Sequence, residues 1–152
     1  MAFLNSINIS ASALTATRLR LDVIAENMAN MSTTRTETGD PYRRKFVVFQ
    51  ERTNNSGRNF SRIFDNALRG DNTLRAGAGV RVVAIGHDMS EFKLDYNPAH
   101  PDADEEGFVR MPNVDVVQEM TDMLAAYRAY EANITALNAF KDMVTKTMEI
   151  GK

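Results

Sequence analysis

The sequence predicts an α+β protein in which two long terminal α-helices pair as a coiled coil and enclose a small β-rich middle segment. Residues 1–38 and 113–150 contain neither glycine nor proline, whereas all 4 prolines lie in the stretch between these flanks. Because glycine and proline interrupt helices, the uninterrupted flanks favour a long helix at each end. Clusters of β-branched and aromatic residues in the middle are typical of short strands.

The length of 152 residues corresponds to about one domain. We predict helices at 1–31 and 114–152, which form one helical assembly domain, and a β-rich insert at 32–113. The net charge of −2 argues against a generally basic nucleic-acid binder and against a polybasic membrane anchor. The absence of cysteine excludes disulfides, thiolate metal sites and a cysteine nucleophile.

Apolar residues repeat every seven positions along the N-terminal flank. The row consists of Ile7, Leu14, Leu21 and Met28. Such a repeat places one apolar side chain on the same helix face every two turns, which is the pattern of a coiled-coil seam.

Four short segments of the middle favour strands: 42–49, 79–85, 92–96 and 108–111. The stretch 53–59 (TNNSGRN) has the composition of a loop. Four short strands predict a small sheet with a modest core of its own.

The C-terminal flank carries a longer heptad pattern, in two rows. The predicted seam consists of Val116, Met120, Met123, Tyr127, Tyr130, Ile134, Leu137 and Val144. Asp115, with Gln118 three residues later, resembles a capping box at the helix start. Further apolar residues lie off this seam, among them Leu124 and Phe140, and such a broad apolar surface suggests contacts with other subunits.

The heptads alone leave two interpretations open. Each seam is either the core face of a helix pair within one chain or a surface that binds neighbouring subunits. We expect Leu14, Leu21 and Met28 to pack on the second helix. Their expected partners are Met123, Tyr130 and Leu137, while Tyr127, Leu124 and Phe140 are expected to face neighbours.

An acidic stretch is the first candidate for metal chemistry. Asp102, Asp104, Glu106 and Gly107 fit the start of a calcium-binding loop, but the twelfth position, which requires a bidentate glutamate, is Asn113. A solvated acidic loop is the better interpretation. The two histidines, His87 and His100, match no known metal-binding spacing.

Catalytic motifs are also missing. There is no Walker A sequence, no complete dinucleotide fingerprint and no nucleophile elbow. We therefore expect no catalytic residue, no metal, no cofactor, no small-molecule substrate and no nucleic-acid partner.

Both flanks resemble the signature sequences of the flagellar rod and hook protein family. The residues that carry the resemblance are Asn27, Ala29, Asn30 and Thr33 at the N-terminus and Arg128, Ala129, Tyr130, Glu131 and Asn133 at the C-terminus. The segments 41–45, 97–102 and 111–113 are similar to a short proximal-rod member of the family. Three positions depart from the pattern. Glu26 replaces an asparagine, Ser32 stands where asparagine is common, and Tyr127 is bulkier than expected.

The resemblance implies a structural subunit of the bacterial flagellar basal-body proximal rod. Its implied partners are other copies of itself, other flagellar rod proteins and the flagellar type III export apparatus. It further implies export to the periplasmic space without a cleavable signal peptide, which fits an N-terminus that lacks a basic region and an apolar run. We expect Asn27 and Asn30 to cap or turn the end of the first helix. The alternative is a cytoplasmic coiled-coil adaptor or export-chaperone-like interaction protein.

Overall fold

The computed structural model describes residues 2–52, 64, 68 and 77–150. Along this part of the chain the elements run helix, four strands, helix. They are α1 (Ala2–Ala29), β1 (Lys45–Glu51), β2 (Val80–His87), β3 (Lys93–Tyr96), β4 (Phe108–Met111) and α2 (Val116–Ile150). The predicted α+β architecture is confirmed. The predicted loop at 53–59 lies outside the described residues.

The helix ends follow local hydrogen-bonding chemistry. The Asp115 carboxylate accepts from the backbone N–H groups of Val117 at 2.9 Å and Gln118 at 3.3 Å, and it therefore caps the start of α2. At the end of α1, the Asn30 side chain donates to the carbonyl of Glu26 at 2.9 Å and accepts from the Thr33 hydroxyl at 3.2 Å. Asn30 thus terminates the helix, as predicted.

The strands form two separate antiparallel pairs, β1 with β2 and β3 with β4. The first pair runs from Lys45 opposite His87 to Glu51 opposite Val80, with a register shift between Val48 and Phe49. Helix α1 packs on α2, and it also packs on β1 and β2. The first strand pair therefore lies against α1.

The two helices are antiparallel. Asn27, near the end of α1, contacts Glu119 at the start of α2, whereas Arg20 contacts Asp122 one turn further along α2. Among the described residues, the buried apolar side chains are Ala16, Val23, Ile24, Tyr42, Val109, Val114 and Ala126. The coiled-coil geometry of the helix pair stays a prediction.

Candidate assembly surface and the buried polar hub

The predicted seam of α1 lies at the border of the helix pair. Ile7, Leu14, Leu21 and Met28 are all half-buried. Between residues 5 and 29 the buried positions of this helix are instead Ser10, Ala16, Val23, Ile24 and Asn27. The inner face of α1 is therefore lined by small and β-branched side chains, and the predicted row flanks it.

The two predicted rows of α2 lie in different environments. The first row, which is Val116, Met123, Tyr130, Leu137 and Val144, is half-buried throughout. The second row, which is Met120, Tyr127 and Ile134, is exposed, by 56, 56 and 36% respectively. The fully buried residues Glu119 and Ala126 each lie one position before a member of the exposed row. Whether either row contacts a neighbouring subunit stays a prediction.

An apolar stripe is consequently open to solvent on α2. We define this apolar stripe as Val117, Met120, Leu124, Tyr127 and Ile134, which are between 36 and 74% exposed. Their spacings of three, four and seven residues place them on one side of the helix. Large apolar side chains that form a continuous patch on a protein surface mark contact sites for other proteins.

A buried polar hub joins the two helices to the start of β1. We define the polar hub as Asn27, Tyr42, Arg44, Asn113 and Glu119. Asn27 is 1% exposed and Glu119 is completely buried. No buried side-chain nitrogen or oxygen in the described part of the chain lacks a hydrogen-bond partner. The hub is therefore a fully satisfied network, which is the condition under which buried polar groups are tolerated.

The Asn27 carboxamide makes four hydrogen bonds. Its amide group donates to the Lys45 carbonyl at 2.8 Å and to the Glu119 carboxylate at 3.1 Å. Its oxygen accepts from the Lys45 backbone N–H at 2.9 Å and from the Tyr42 hydroxyl at 3.0 Å. These bonds use the full capacity of an amide side chain. Asn27 therefore links α1 to β1 and α2. The expectation that Asn27 caps the end of the first helix was wrong, because its side chain bonds to other elements.

The Glu119 carboxylate is held from both sides. One oxygen accepts from Asn27, and the other accepts from the Arg44 guanidinium at 2.5 Å. The same guanidinium reaches Asp122 at 3.3 Å, and Asp122 also lies 3.5 Å from Arg20. Burial of a charge is costly unless it is paired and hydrogen-bonded, and Glu119 meets both conditions.

Two further hub residues extend the network to the surrounding loops. The Arg44 backbone N–H donates to the Asn113 side chain at 2.8 Å, and Asn113 in turn donates to the Asp88 carbonyl and the Ser90 hydroxyl. Burial, together with the nearby Glu26 and Glu119 carboxylates, raises the pKa of Tyr42 to about 12. Tyr42 therefore stays a neutral donor to Asn27 at physiological pH.

The remaining family-motif residues lie near the ends of the two helices or along α2. Ala29, Arg128, Ala129 and Glu131 are exposed, whereas Thr33, Tyr130 and Asn133 are half-buried. The Asn133 side chain donates to the carbonyl of Ala129 at 2.8 Å, within its own helix. The structure of the single chain gives these residues no common site.

In the acidic loop at 102–107, carboxylate oxygens accept hydrogen bonds from protein groups. One Asp104 carboxylate oxygen accepts from the backbone N–H groups of Glu106 and Phe108, and Asp102 accepts from the Thr34 hydroxyl at 2.8 Å. Among the described residues, no group of three or more His, Asp or Glu side chains is arranged to hold a metal ion. No helix in this part of the chain is long and apolar enough to cross a membrane.

The family resemblance pointed to Asn27, but no sequence pattern indicated that Glu119 is buried. The sequence pointed to the other hub residues only indirectly. Tyr42 and Arg44 belong to the segment 41–45, and Asn113 belongs to 111–113, both of which contributed to the family resemblance. The motifs of the middle segment therefore supply hub residues.

Comparison with known proteins explains why these motifs occur together. Residues 7–35 match the family described as Flagella basal body rod protein, and residues 105–150 match Flagellar basal body rod FlgEFG protein C-terminal. The Flagellar basal-body rod protein FlgC of Bacillus subtilis is 48% identical, with 100% of both chains covered. The chain belongs to the FlgC family of flagellar basal-body rod proteins.

Two further relatives of the same name come from other bacteria. The FlgC protein of Borreliella burgdorferi is 45% identical over 99% of this chain and 98% of its own, and that of Escherichia coli is 41% identical over the full length of both. The resemblance to the flagellar rod and hook proteins is thereby confirmed. As a FlgC-family member, the chain is a structural rod protein of the flagellar basal body.

Proposed function

We propose that this chain polymerises through its N- and C-terminal helices into the proximal part of the flagellar rod, the drive shaft that spans the periplasm, transmits torque and encloses the export channel. Its partners are other copies of itself and other rod proteins. The family supports a structural role, and we assign the chain no enzymatic activity, no cofactor, no small-molecule substrate and no nucleic acid.

The apolar stripe of α2 is the observation that carries this proposal. Val117 is 74% exposed, and Met120 and Tyr127 are each 56% exposed, although all three lie within a long, regular helix. Exposed apolar area of this kind is unfavourable in water, at roughly 25 cal/mol per Å². Packing of the stripe against the helices of neighbouring subunits removes that cost, and a contact repeated from subunit to subunit without closing builds a filament.

The proposed route to the periplasm is the flagellar type III export apparatus, with a signal that is not cleaved. Membership of the family of flagellar basal-body rod proteins supports this proposal. The intact mass of the chain recovered from purified basal bodies tests this route. A chain that retains its N-terminal residues is expected, and a chain shortened by a signal peptide would contradict the proposal.

Assembly is tested by placing a charge in the stripe. Tyr127→Asp and Leu124→Asp, each expressed in the native host in place of the resident copy, are expected to abolish rod formation and motility. Both residues are more than half exposed, so the free energy of unfolding of the purified chain is expected to change by no more than about 0.5 kcal/mol.

The matched control is Ala125→Asp. Ala125 is exposed on the same helix but lies next to Leu124 in sequence, so that it points roughly 100° away from it. This variant is expected to support motility and to yield basal bodies with rods in electron micrographs. Normal motility in both stripe variants would refute assembly through this face.

A further inference from the structure

The polar hub lies in a helix pair whose apolar packing repeats. On α1, Ala16 and Val23 are buried and seven residues apart. On α2, Tyr130, Leu137 and Val144 are half-buried at the same spacing. A slide of α2 by one heptad brings apolar side chains opposite apolar side chains again, because the repeat is the same on both helices. Apolar packing alone therefore favours several alignments of the two helices.

Glu119 distinguishes these alignments. In the observed one its carboxylate is completely buried and receives donors from both Asn27 and Arg44. In any shifted alignment the Glu119 carboxylate loses these donors. Another residue of α2 then lies opposite Asn27, and the Asn27 amide loses its acceptor. An unpaired buried charge or amide is strongly unfavourable, whereas the apolar contacts change little.

The partners of Glu119 are themselves fixed in place. Asn27 is bonded to both the N–H and the carbonyl of Lys45, and the backbone of Arg44 is bonded to Asn113. The Asn27 donor is thus attached to the backbone of β1, which is not part of α2. A shift of α2 therefore moves Glu119 away from Asn27.

From this geometry we infer that Asn27, Arg44 and Glu119 are positioning residues that select one register of α2 against α1 and β1. A buried asparagine that fixes the register of a helix pair is a known use of such groups. The consequence for this chain is that the apolar stripe of α2 is held at one position relative to the β1–β2 pair. The inference concerns the single chain and does not depend on the proposed role in the rod.

Spin-label distances between the two helices measure the register directly. The chain has no cysteine, so Ala25→Cys and Ala139→Cys provide two unique labelling positions, both exposed. The helix rise places these positions roughly 30 Å apart along the pair, and a one-heptad slide changes the separation by about 10 Å. Double electron–electron resonance resolves such a change.

The test variant is Glu119→Met, which keeps the approximate volume of the side chain but removes the charge and both acceptors. Arg44 retains Asp122 as a partner at 3.3 Å. We expect the labelled parent chain to give one narrow distance, and Glu119→Met to give a broadened distribution or a second distance. Helix content from circular dichroism is expected to remain close to that of the parent.

The matched control is Glu149→Met, the same substitution at an exposed glutamate of α2 that pairs with Lys146. It is expected to preserve the single narrow distance. If Glu119→Met loses its helical signal, Glu119→Gln replaces it, since the neutral amide keeps the size but presents a donor to Asn27 or Arg44. The inference is overturned if the folded Glu119→Met variant gives the same distance distribution as the parent chain. The same holds for a folded Glu119→Gln variant where it takes the place of Glu119→Met.

Discussion

The two helices are held in different ways. Helix α1 is attached near its end through Asn27 and again near its middle, where the Ser12 hydroxyl accepts from the backbone N–H of Val80 at 3.1 Å. Helix α2 makes its contacts to the hub through Glu119 and Asp122, both in its first two turns. Along 141–149 every side chain except Val144 is exposed.

Helix length accounts for part of this difference. Because Asn27 lies opposite Glu119, the start of α1 lies opposite about residue 144 of α2, if both helices rise by roughly 1.5 Å per residue. The last turns of α2 therefore extend beyond α1. Helix α1 is therefore bonded to the strands at two places, whereas the polar contacts of α2 with the hub lie at one end of that helix.

The largest expected effect on stability comes from a substitution in the polar hub, to which both helices bond. Arg44→Ala leaves the buried Glu119 carboxylate with Asn27 as its remaining donor. We expect the free energy of unfolding to fall by about 3–5 kcal/mol, as found when one partner of a buried ion pair is removed. Urea denaturation measures the loss, and Arg81→Ala, at an exposed arginine bonded to Gln50, is the control. Equal effects of the two variants would show that the hub does not anchor the helices.

The second attachment of α1 is tested at Gly79. This glycine has a φ of +106°, and an added Cβ would lie 2.2 Å from the Ser12 hydroxyl oxygen and 3.3 Å from the Cα of Ile9. Gly79→Ala is expected to destabilise the chain by about 3 kcal/mol, through strain and through the displacement of α1 from β2.

Gly39→Ala separates the two causes. Gly39 also has a positive φ, of +88°, but an added Cβ would meet no atom within 4 Å. This control is expected to cost about 1 kcal/mol, from strain alone. A similar loss in both variants would contradict a close attachment of α1 to β2.

Alkaline pH is expected to weaken the hub by a smaller amount. The pKa of Tyr42 is raised to about 12 in the folded chain, from 10.0 for the free side chain, so folding favours the neutral phenol. This stabilisation is fully present below pH 10 and is lost as the pH rises through 12. The loss amounts to about 2 kcal/mol. Denaturation midpoints between pH 9 and 12 measure it, and Tyr42→Phe is expected to lack this part of the pH dependence.

The smallest effect is expected at the distal end of α2. Lys146 and Glu149 form an ion pair at 3.0 Å, but both side chains are more than half exposed. Lys146→Ala is expected to change the free energy of unfolding by no more than about 0.5 kcal/mol, because exposed pairs are screened by water. A loss comparable to that of Arg44→Ala would show that α2 is anchored at both ends.

The positions of the helices and strands along the chain were predictable, because they depend on residue types that act on the local backbone. The absence of glycine and proline predicted both helices, observed as Ala2–Ala29 and Val116–Ile150, and Asp115 predicted the start of the second. All four predicted strands are present, with bounds shifted by up to three residues. The largest shift occurs before Lys45, where Tyr42 and Arg44 bond to the helices and loops rather than to a strand.

The inner face of the helix pair was harder to predict. Hydrophobic periodicity selects the most apolar row, and along α2 it selected Met120 and Tyr127 in preference to Glu119 and Ala126. A glutamate is a core residue only when its donors are supplied by distant segments. Arg44 lies 75 residues away and Asn27 lies 92 residues away. No local pattern contains that information.

The pairing of Asn27 with Lys45 also bears on the solubility of the chain. A carboxamide that bonds both the N–H and the carbonyl of a strand residue occupies the position that another strand would take. An open strand edge is a template for unwanted pairing between chains, and proteins commonly cover it. At Lys45, the first residue of β1, the Asn27 side chain provides this cover, so that the backbone groups of Lys45 are not free to pair with a strand of another chain.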